Sequence, residues 1–387
     1  MRVTHVITRL IIGGAQENTI ATVLGLQNRP GLEVDLVAGP TTGPEGSLES
    51  AFAARPELLT ILPSLIRPIH PWFDVLAWRR LVEMFRATSP RIVHTHSGKA
   101  GILARLAAQR AGVPIIVHTV HGPSFGSFQG AIPNLVFRAA ERRAAAVTTH
   151  FISVADAMTR QYLAAGVGRP DQFSRIFSGF ALEPFQAARN DADLRARLGI
   201  APADFVVGKI ARLFQLKGHE DLIDAAPEVL RSHPQTKFLL VGDGNLRPRL
   251  QERARAAGME KAVIFAGLVA PVDIPKYVGV MDAVAHLSRR EGLPRALSQA
   301  LAAGRPVVAY DCDGANEVCF SGETGFLIPL GDVKSLAQRL AQLAEDAPLR
   351  ERLGRRGQEF VRENFAVATM VENIYALYQE LVQKDTN

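Results

Sequence analysis

Residues 282–311, DAVAHLSRREGLPRALSQALAAGRPVVAYD, contain the pattern that decides the fold. Two apolar runs of strand length, DAVAHLS and PVVAYD, enclose an alanine-rich and leucine-rich stretch that predicts a short helix. Pro294 suits the first turn of this helix, and Gly304 suits its end. A strand, a helix and a second strand in this order predict a βαβ unit with parallel strands.

Outward from this stretch, strands and helices alternate along the whole chain. The first half holds the strand-like runs VTHVIT, LEVDLVAG, RIVHTHS, PIIVHTVHG and FISVA, and the second half repeats the style. The 387 residues are enough for two domains. We therefore predict an α/β protein with two Rossmann-like, doubly wound parallel-sheet domains that face each other across a cleft. We expect the first domain to comprise residues 1–180 and to end at a proline-containing link. The second domain is expected at residues 181–365, and a helix at residues 366–387 is expected to cross back to the first domain.

The composition is that of a soluble globular protein, with 47% hydrophobic and 21% charged residues. The first residues do not resemble a signal peptide, and no apolar run reaches the length of a spanning helix. The two cysteines are too few for a disulfide framework. We therefore expect a cytoplasmic location.

The positive charge is concentrated in the first half. The chain has a formal net charge of +6, while residues 1–180 alone hold 18 Lys and Arg against 11 Asp and Glu. No nucleic-acid-binding motif accompanies this charge. An anionic membrane surface or a phosphorylated substrate is the favoured partner, and solvated surface arginines are the alternative.

Two glycines and four histidines follow the predicted strands of the first half. Gly13 and Gly14 stand between the first strand and a helix, where a ligand could approach the backbone, although a plain tight turn is an equal alternative. The histidines at the next two strand ends are His94, His96, His118 and His121. They could bind a metal, but no carboxylate lies among them, so we expect none. We predict structural histidines and, at His121, a hydrogen bond to a polar substrate. His96 and Lys99 are candidate acceptor contacts, although Lys99 could equally face solvent.

The second half places cations and free amides at strand ends. Arg212 follows a strand, and Lys217 lies in the loop that opens the next helix, so the two suit a diphosphate. The amides of Gly292 and Leu293 stand ahead of a helix, where a phosphate could sit. Glu291 can accept hydrogen bonds from sugar hydroxyls.

Two further residues keep a structural alternative. Gln299 is one of few polar side chains on an apolar helix and either contacts the ligand or is simply exposed. Glu317 is expected at the start of a helix, where first-turn charge explains it as well as ligand binding does.

Taken in order, these motifs resemble those of the retaining GT-B glycosyltransferases (group 1, family 4-like). ARLFQLKG is similar to that family's Arg/Lys diphosphate motif, and EGLPRALSQALAAGRPVVA to its Glu-(seven residues)-Glu segment. DGANEV and SGETGFLIPLGD follow at the expected places, as do IGGAQ, HTHSGKAG and HTVHG in the first half. The resemblance spans nearly the whole chain.

This resemblance implies a nucleotide-sugar donor, a UDP-sugar first of all, held mostly by the second domain. Arg212 and Lys217 would neutralise the diphosphate leaving group. Glu291 would bind hydroxyls of the transferred sugar, and His121 another hydroxyl near the anomeric carbon. The other implied donor contacts are Gly13, Gly14, Gly292, Leu293, Gln299 and Glu317.

The resemblance also implies an acceptor and a stereochemical course. A polysaccharide or lipid-linked acceptor would bind the basic first domain, at the cytoplasmic face of a membrane. Retention is expected through same-face attack, without a metal and without a cofactor other than the donor. Two alternatives stay open: a nucleotide-sugar epimerase on the same scaffold and a noncatalytic nucleotide-sugar binding protein. An NAD-dependent oxidoreductase is disfavoured because the glycine fingerprint is absent from the sequence.

Two positions depart from the family pattern. Related members carry a carboxylate where this chain has Gln299, and that carboxylate accepts from the ribose hydroxyls. Charged hydrogen bonds are stronger than neutral ones, so the expected loss in donor binding is about 1 kcal/mol. Ser178 replaces the usual Asn, which is a smaller departure.

Overall fold

The computed structural model describes residues 1–42, 46–126 and 130–386. The chain forms two compact units: an N-terminal unit, Met1–Phe180 with Val367–Asn387, and a C-terminal unit, Ala181–Ala366. Each unit contains one sheet whose paired strands run parallel. The predicted α/β class with two doubly wound parallel sheets is therefore confirmed.

In the described part of the N-terminal unit, seven strands form the sheet: β1 (Arg2–Ile7), β2 (Glu33–Ala38), β3 (Leu59–Ile61), β4 (Ile92–His96), β5 (Ile115–Val120), β6 (His150–Ser153) and β7 (Phe173–Arg175). Their spatial order is β3-β2-β1-β4-β5-β6-β7. The order changes direction at β1, where Val3 pairs with Val34 of β2 and with Ile92 of β4.

Helices cover both faces of this sheet. They are α1 (Gly14–Leu26), α2 (Pro71–Thr88), α3 (Gly98–Ala111), α4 (Ala131–Ala145), α5 (Asp156–Ala164) and, numbered by its place in the chain, α14 (Val367–Thr386). Side chains alternate along β1, so Val3 and Ile7 pack against α1 and α14, while Val6 packs against α2 and α3. The last helix, α14, lies so close to α1 that a Cβ on Gly25 would be 2.5 Å from a methyl carbon of Val371.

Six strands form the sheet of the C-terminal unit: β8 (Phe205–Ile210), β9 (Thr236–Val241), β10 (Val263–Gly267), β11 (Ala283–His286), β12 (Val307–Tyr310) and β13 (Gly325–Ile328). Their order is β10-β9-β8-β11-β12-β13, which changes direction at β8. The βαβ unit predicted from residues 282–311 is β11 and β12, paired in parallel, with a helix between them.

The helices of the C-terminal unit are α6 (Glu183–Gln186), α7 (Ala192–Arg197), α8 (His219–Ser232), α9 (Arg247–Ala256), α10 (Ile274–Gly279), α11 (Arg295–Ala302), α12 (Val333–Glu345) and α13 (Ala347–Asn364). Leu222, Ala226 and Val229 recur at helical spacing on α8 and are buried against the apolar face of α12. Short 3-10 helices lie at Glu49–Phe52, Pro56–Leu58, Pro170–Gln172, Pro271–Asp273 and Asp313–Glu317. Within the described residues, no helix combines the length and apolar character that crossing a membrane requires.

Candidate active site

Most of the predicted site residues follow strands at or beside the point where each sheet changes direction. In parallel α/β sheets, ligands bind beyond the carboxyl ends of the strands at such a switch point. In the C-terminal unit, the segments that follow β8 and β11 carry Arg212, Lys217, Glu291, Gly292 and Leu293. In the N-terminal unit, the ends of β1, β4 and β5 lead to Gly13, Gly14, His96, Lys99 and His121. The twelve predicted residues therefore form two groups, one in each unit, with Gln299 and Glu317 in the C-terminal unit.

Lys217 and Glu291 are in direct contact, and the backbone around them explains why. Leu216 and Gly218 both adopt positive φ angles, 67° and 64°. The Arg289 amide donates to the Leu216 carbonyl at 2.8 Å, and a Cβ on Gly218 would lie 2.2 Å from the Leu287 carbonyl oxygen. The loop after β8 is therefore pressed against the segment after β11 at a position that only glycine fits.

In that position the Lys217 ammonium donates a hydrogen bond to the Glu291 carboxylate. The two side chains are 23% and 24% exposed, so the pair is partly screened by water but remains open to a ligand. Nε2 of His286, which is buried, lies 3.8 Å from the same carboxylate oxygen. These contacts place one cation and one anion side by side at the switch point.

The charge state of Glu291 follows from its neighbours. Burial favours the protonated carboxyl, but attraction to His286 and to Lys217 outweighs it, and the pKa of Glu291 lies below its ordinary value. Burial also lowers the pKa of His286 to about 4, so this ring is neutral at pH 7. At neutral pH the charged partner of Glu291 is therefore Lys217.

A third ionisable group, Lys209, lies beneath this pair. It is buried near the end of β8, where burial and the charge of Lys217 lower its pKa to about 7, while Asp221 and Glu291 oppose the shift. Neither Lys209 nor His286 was among the residues predicted from the sequence. The available signal was a single charged or imidazole residue within each apolar strand, FVVGKI and AVAH.

The backbone of Glu291 is fixed by Asp313, which sequence analysis also missed. The Glu291 amide donates to the Asp313 carboxylate at 2.7 Å. Asp313 has a φ of 50° and opens the 3-10 helix Asp313–Glu317. Glu317 is thus the last residue of a 3-10 helix, and the expectation that it begins a helix was wrong. The acidic group in the first turn is that of Asp313.

The other predicted donor residues of the C-terminal unit have fewer contacts. Pro294 is the N-cap of α11, and among the described residues the amides of Gly292 and Leu293 have no hydrogen-bond acceptor. Arg212 is exposed, with its guanidinium 5.2 Å from the centre of the Phe214 ring. Gln299 is half-buried in α11, and its side-chain amide likewise lacks a hydrogen-bond partner within the described parts of the chain.

The glycines and Lys99 of the N-terminal unit occupy helix starts. Gly13 is the N-cap of α1, and Gly14, which is exposed, begins it. Lys99, in the first turn of α3, pairs with Asp74, donates to the Pro68 carbonyl and is only 12% exposed. Lys99 therefore does not face solvent, and an acceptor phosphate would have to compete with Asp74 for its charge.

The histidines divide between the two faces of the sheet. His118 pairs in register with Thr95 and bonds to its hydroxyl at 2.8 Å, on the face opposite His94 and His96. His5, which sequence analysis missed, takes its place beside His94. The three imidazoles that share one face are therefore His5, His94 and His96, and His118 lies apart from them.

The position of His96 does not fit the predicted contact with the acceptor substrate. It is fully buried, and its two ring nitrogens lie 3.0 Å from His5 and 3.2 Å from His121. A substrate could therefore meet His121, which is partly exposed, but not His96. Ring nitrogens of His5, His94 and His96 lie within 4.8 Å of one another, close enough to hold a metal ion, although these nitrogens already bond to neighbouring side chains.

Two protein families match this chain. The family described as Glycosyl transferases group 1 matches residues 190–360, and the family described as Glycosyl transferase 4-like domain matches residues 13–174. One match falls in each unit, and each unit contains one parallel sheet, as in a GT-B fold. The chain belongs to the GT-B glycosyltransferases.

Individual relatives of this glycosyltransferase cover three quarters or more of the chain. The UDP-Gal:alpha-D-GlcNAc-diphosphoundecaprenol alpha-1,3-galactosyltransferase of Escherichia coli is 28% identical over 99% of this chain and 97% of its own. The alpha-D-kanosaminyltransferase of Streptomyces kanamyceticus is 28% identical over 75% of this chain and 77% of its own. The crystal structure of HepE from Anabaena in complex with UDP has a TM-score of 0.84 at 24% identity, covers 98% of this chain and 100% of its own, and confirms the GT-B fold.

Within the glycosyltransferase, the Lys217–Glu291 pair has definite chemical capacities. A lysine ammonium carries three N–H donors; one binds Glu291, which leaves two for other acceptors. The ionised carboxylate accepts hydrogen bonds only. The arrangement can therefore bind an anionic group at Lys217 and a hydroxyl-rich group at Glu291.

Proposed function

We propose that the protein transfers a hexose from a UDP-sugar to a polysaccharide or lipid-linked acceptor, with retention of anomeric configuration. The observation that carries this proposal is the contact between Lys217 and Glu291 at the switch point of the C-terminal sheet. A donor sugar diphosphate has an anion next to a ring of hydroxyls, and the pair offers a cation next to a hydroxyl acceptor. The name of the Escherichia coli relative, which specifies UDP-Gal and a diphosphoundecaprenol acceptor, supports the same substrate classes.

In this proposal the C-terminal unit stabilises the leaving group. Departure of UDP places negative charge on the diphosphate oxygen, and Lys217, Arg212 and the amides of Gly292 and Leu293 would neutralise it. The low pKa of Glu291 keeps it ionised at neutral pH, so it accepts hydrogen bonds from the sugar throughout the reaction. His121 of the N-terminal unit would bind another sugar hydroxyl.

The proposed reaction balances without a protein base. The acceptor oxygen forms a bond to the anomeric carbon on the face from which the phosphate leaves. The bond from that carbon to the phosphate oxygen breaks, and the acceptor proton moves to the departing phosphate. Because Lys217 and Arg212 supply the positive charge, we expect turnover in the presence of EDTA.

A lipid-linked acceptor is supported by two segments of the N-terminal unit that carry both exposed apolar side chains and exposed arginines. On and beside α2 these are Ile69, Trp72 and Val75, and on α4 they are Ile132, Leu135 and Val136. Arg67, Arg79 and Arg143 on the same two segments are exposed. An apolar surface with positive charge fits an anionic lipid surface. Sedimentation with vesicles containing phosphatidylglycerol should occur at low salt and be lost at high salt.

The activity test separates the proposal from its alternatives. Purified protein is incubated with UDP-galactose or UDP-glucose, with and without a short-chain analogue of GlcNAc-diphosphoundecaprenol, and UDP release is measured. Release that depends on acceptor, with an α-linked product by NMR coupling constants, is expected. Interconversion of the two donors without acceptor would instead identify an epimerase, and donor binding without turnover a noncatalytic binding protein.

A further inference from the structure

A continuous series of hydrogen bonds runs from His121 into the core of the N-terminal unit. Its members, which we call the histidine chain, are His121, His96, His5, Tyr378, His94 and Thr119. Nε2 of His121 lies 3.2 Å from Nδ1 of His96, and Nε2 of His96 lies 3.0 Å from Nδ1 of His5. Nε2 of His5 lies 3.4 Å from the Tyr378 hydroxyl, which is 2.5 Å from Nδ1 of His94. Nε2 of His94 lies 2.6 Å from the Thr119 hydroxyl.

The four imidazoles of the histidine chain are neutral. His5, His94 and His96 are fully buried, and no carboxylate among the described residues bonds to any of the four rings. Burial lowers the pKa of His5 to about 3 and that of His121 to about 4, and it lowers those of the other two well below the ordinary value. Each ring therefore carries one N–H and one lone pair.

The connectivity then links the four tautomers. Along the chain, Nε2 of each ring faces Nδ1 of the next, either directly or through the Tyr378 hydroxyl, which donates to one ring and accepts from the other. If one ring has its proton on Nδ1, its neighbour must have the same, or one contact would hold two protons or none. Only two arrangements satisfy every bond: all four rings protonated on Nδ1, or all four on Nε2.

We propose that His5, His94, His96 and Tyr378 are positioning residues that set the tautomer of His121. Nδ1 of His121 has no hydrogen-bond partner among the described residues, so it is the nitrogen that can meet a ligand. In one arrangement of the histidine chain this nitrogen donates to a sugar hydroxyl, and in the other it accepts from one. The sugar-binding role of His121 rests on the proposed function; the linked tautomers do not.

Three rings of the histidine chain could instead be ligands of a metal ion. His5, His94 and His96 offer three ring nitrogens within 4.8 Å. In the histidine chain, both ring nitrogens of His5 and of His96 already have hydrogen-bond partners. A metal ion bound to these rings would break some of those hydrogen bonds. The hydrogen-bonded arrangement is therefore the one that the contacts favour.

The test is the tautomeric state of each ring in the full-length protein labelled with ¹⁵N-histidine. Long-range ¹H–¹⁵N spectra distinguish Nδ1–H, Nε2–H and imidazolium, and His→Gln variants assign the signals. We expect His5, His94, His96 and His121 to be neutral with one shared tautomer. His118, on the opposite face, is the internal reference outside the chain. Different tautomers among the four, a charged ring, or stoichiometric metal in the purified protein would each overturn the proposal.

Tyr378→Phe removes the one hydroxyl that joins His94 to His5. In this variant Nε2 of His5 and Nδ1 of His94 would face the phenyl ring without a partner. A buried N–H without an acceptor is rarer than an unpaired acceptor, so both of these nitrogens should be the unprotonated ones. In this variant we expect His94 to be Nε2–H while His5, His96 and His121 share Nδ1–H, whichever of the two arrangements the wild-type protein has. The matched control is Tyr162→Phe, which removes a buried hydroxyl of the same unit outside the chain and should leave all four tautomers unchanged.

Kinetics give the second readout. If His121 binds the donor sugar, kcat with UDP-galactose should follow its tautomer. Where the wild-type chain is Nε2–H and Tyr378→Phe converts His121 to Nδ1–H, kcat should fall about tenfold, the effect of one misplaced hydrogen bond. Where His121 is Nδ1–H in both proteins, kcat should stay at the wild-type value. The Kd for UDP, which lacks the sugar, should stay unchanged. A changed His121 tautomer without a loss of kcat, or a tenfold loss of kcat without a changed tautomer, would refute the positioning role. No turnover by the wild-type protein with any UDP-sugar would refute the proposed function, and the NMR result would still decide the linked tautomers.

Discussion

Lys217→Ala removes the only cation that bonds to Glu291 within the described residues. At the donor site, the substitution takes away a charge that the leaving diphosphate would meet, and it leaves the Glu291 carboxylate beside a neutral His286. Without Lys217, burial acts on Glu291 with less opposition, so its pKa should rise. Both changes weaken donor binding and leaving-group departure.

The size of the effect follows from the exposure of the pair. Removing one preorganised group that stabilises transition-state charge lowers kcat by about 10²–10³. Because both side chains are roughly a quarter exposed, water screens the charge, and we expect a loss at the lower end, about a hundredfold. The loss of folding stability should be only about 1 kcal/mol, because the pair is not deeply buried.

The assay measures UDP release from saturating UDP-galactose with acceptor, together with thermal melting by circular dichroism. Lys276→Ala is the matched control, because Lys276 pairs with Asp273 at 3.3 Å in the same unit but is 66% exposed. The control should behave as wild type. A folded Lys217→Ala protein with a rate within threefold of wild type would refute the diphosphate assignment.

Three further substitutions test other parts of the structure. Gln299→Glu should tighten UDP binding by about 1 kcal/mol, roughly fivefold in Kd by calorimetry, if the side chain meets the ribose. Lys209→Met should raise the melting temperature at pH 7. Burial lowers the pKa of Lys209 from 10.5 to about 7, so the unfolded protein binds this proton more tightly than the folded protein does. The wild-type protein therefore loses stability as the pH falls from 10.5 to 7, by about 4 kcal/mol at pH 7, and the Met variant avoids this loss. Arg105→Met should destabilise the protein by about 3–5 kcal/mol in urea unfolding, because it leaves the Glu141 carboxylate buried without its partner at 2.6 Å.

Each of these has a contrary outcome. Unchanged UDP affinity in Gln299→Glu would place position 299 outside the ribose site. A stability gain in Lys209→Met that persists undiminished at pH 10.5 would contradict the lowered pKa of Lys209. A small loss in Arg105→Met would mean that Glu141 becomes protonated or hydrated at little cost.

Local sequence patterns were sufficient for the fold because each strand and helix carries its own signal. The alternation of strand-like and helical runs, together with the βαβ pattern around Pro294, predicted two parallel sheets. Gly218, which precedes α8, adopts a positive φ angle, a conformation that glycine favours. These features depend on residues close in sequence, which a single chain reveals directly.

The site residues that sequence analysis missed depend on strand register. His94 and His96 share a face by simple alternation, but whether His118 joins them depends on which residue of β4 it pairs with. The register pairs His118 with Thr95, and that of β1 brings His5 beside His94. The Asp313 contact with Glu291 likewise joins two separate loops. No local pattern encodes such pairings.

The central claim is that Lys217 and Arg212 hold a diphosphate beside Glu291. A crystal structure of the protein with UDP measures this directly. We predict a phosphate oxygen within about 3 Å of the Lys217 ammonium, with the Arg212 guanidinium and the Gly292 and Leu293 amides directed at the same diphosphate. UDP bound with its diphosphate away from Lys217, and with the ion pair to Glu291 undisturbed, would contradict the account.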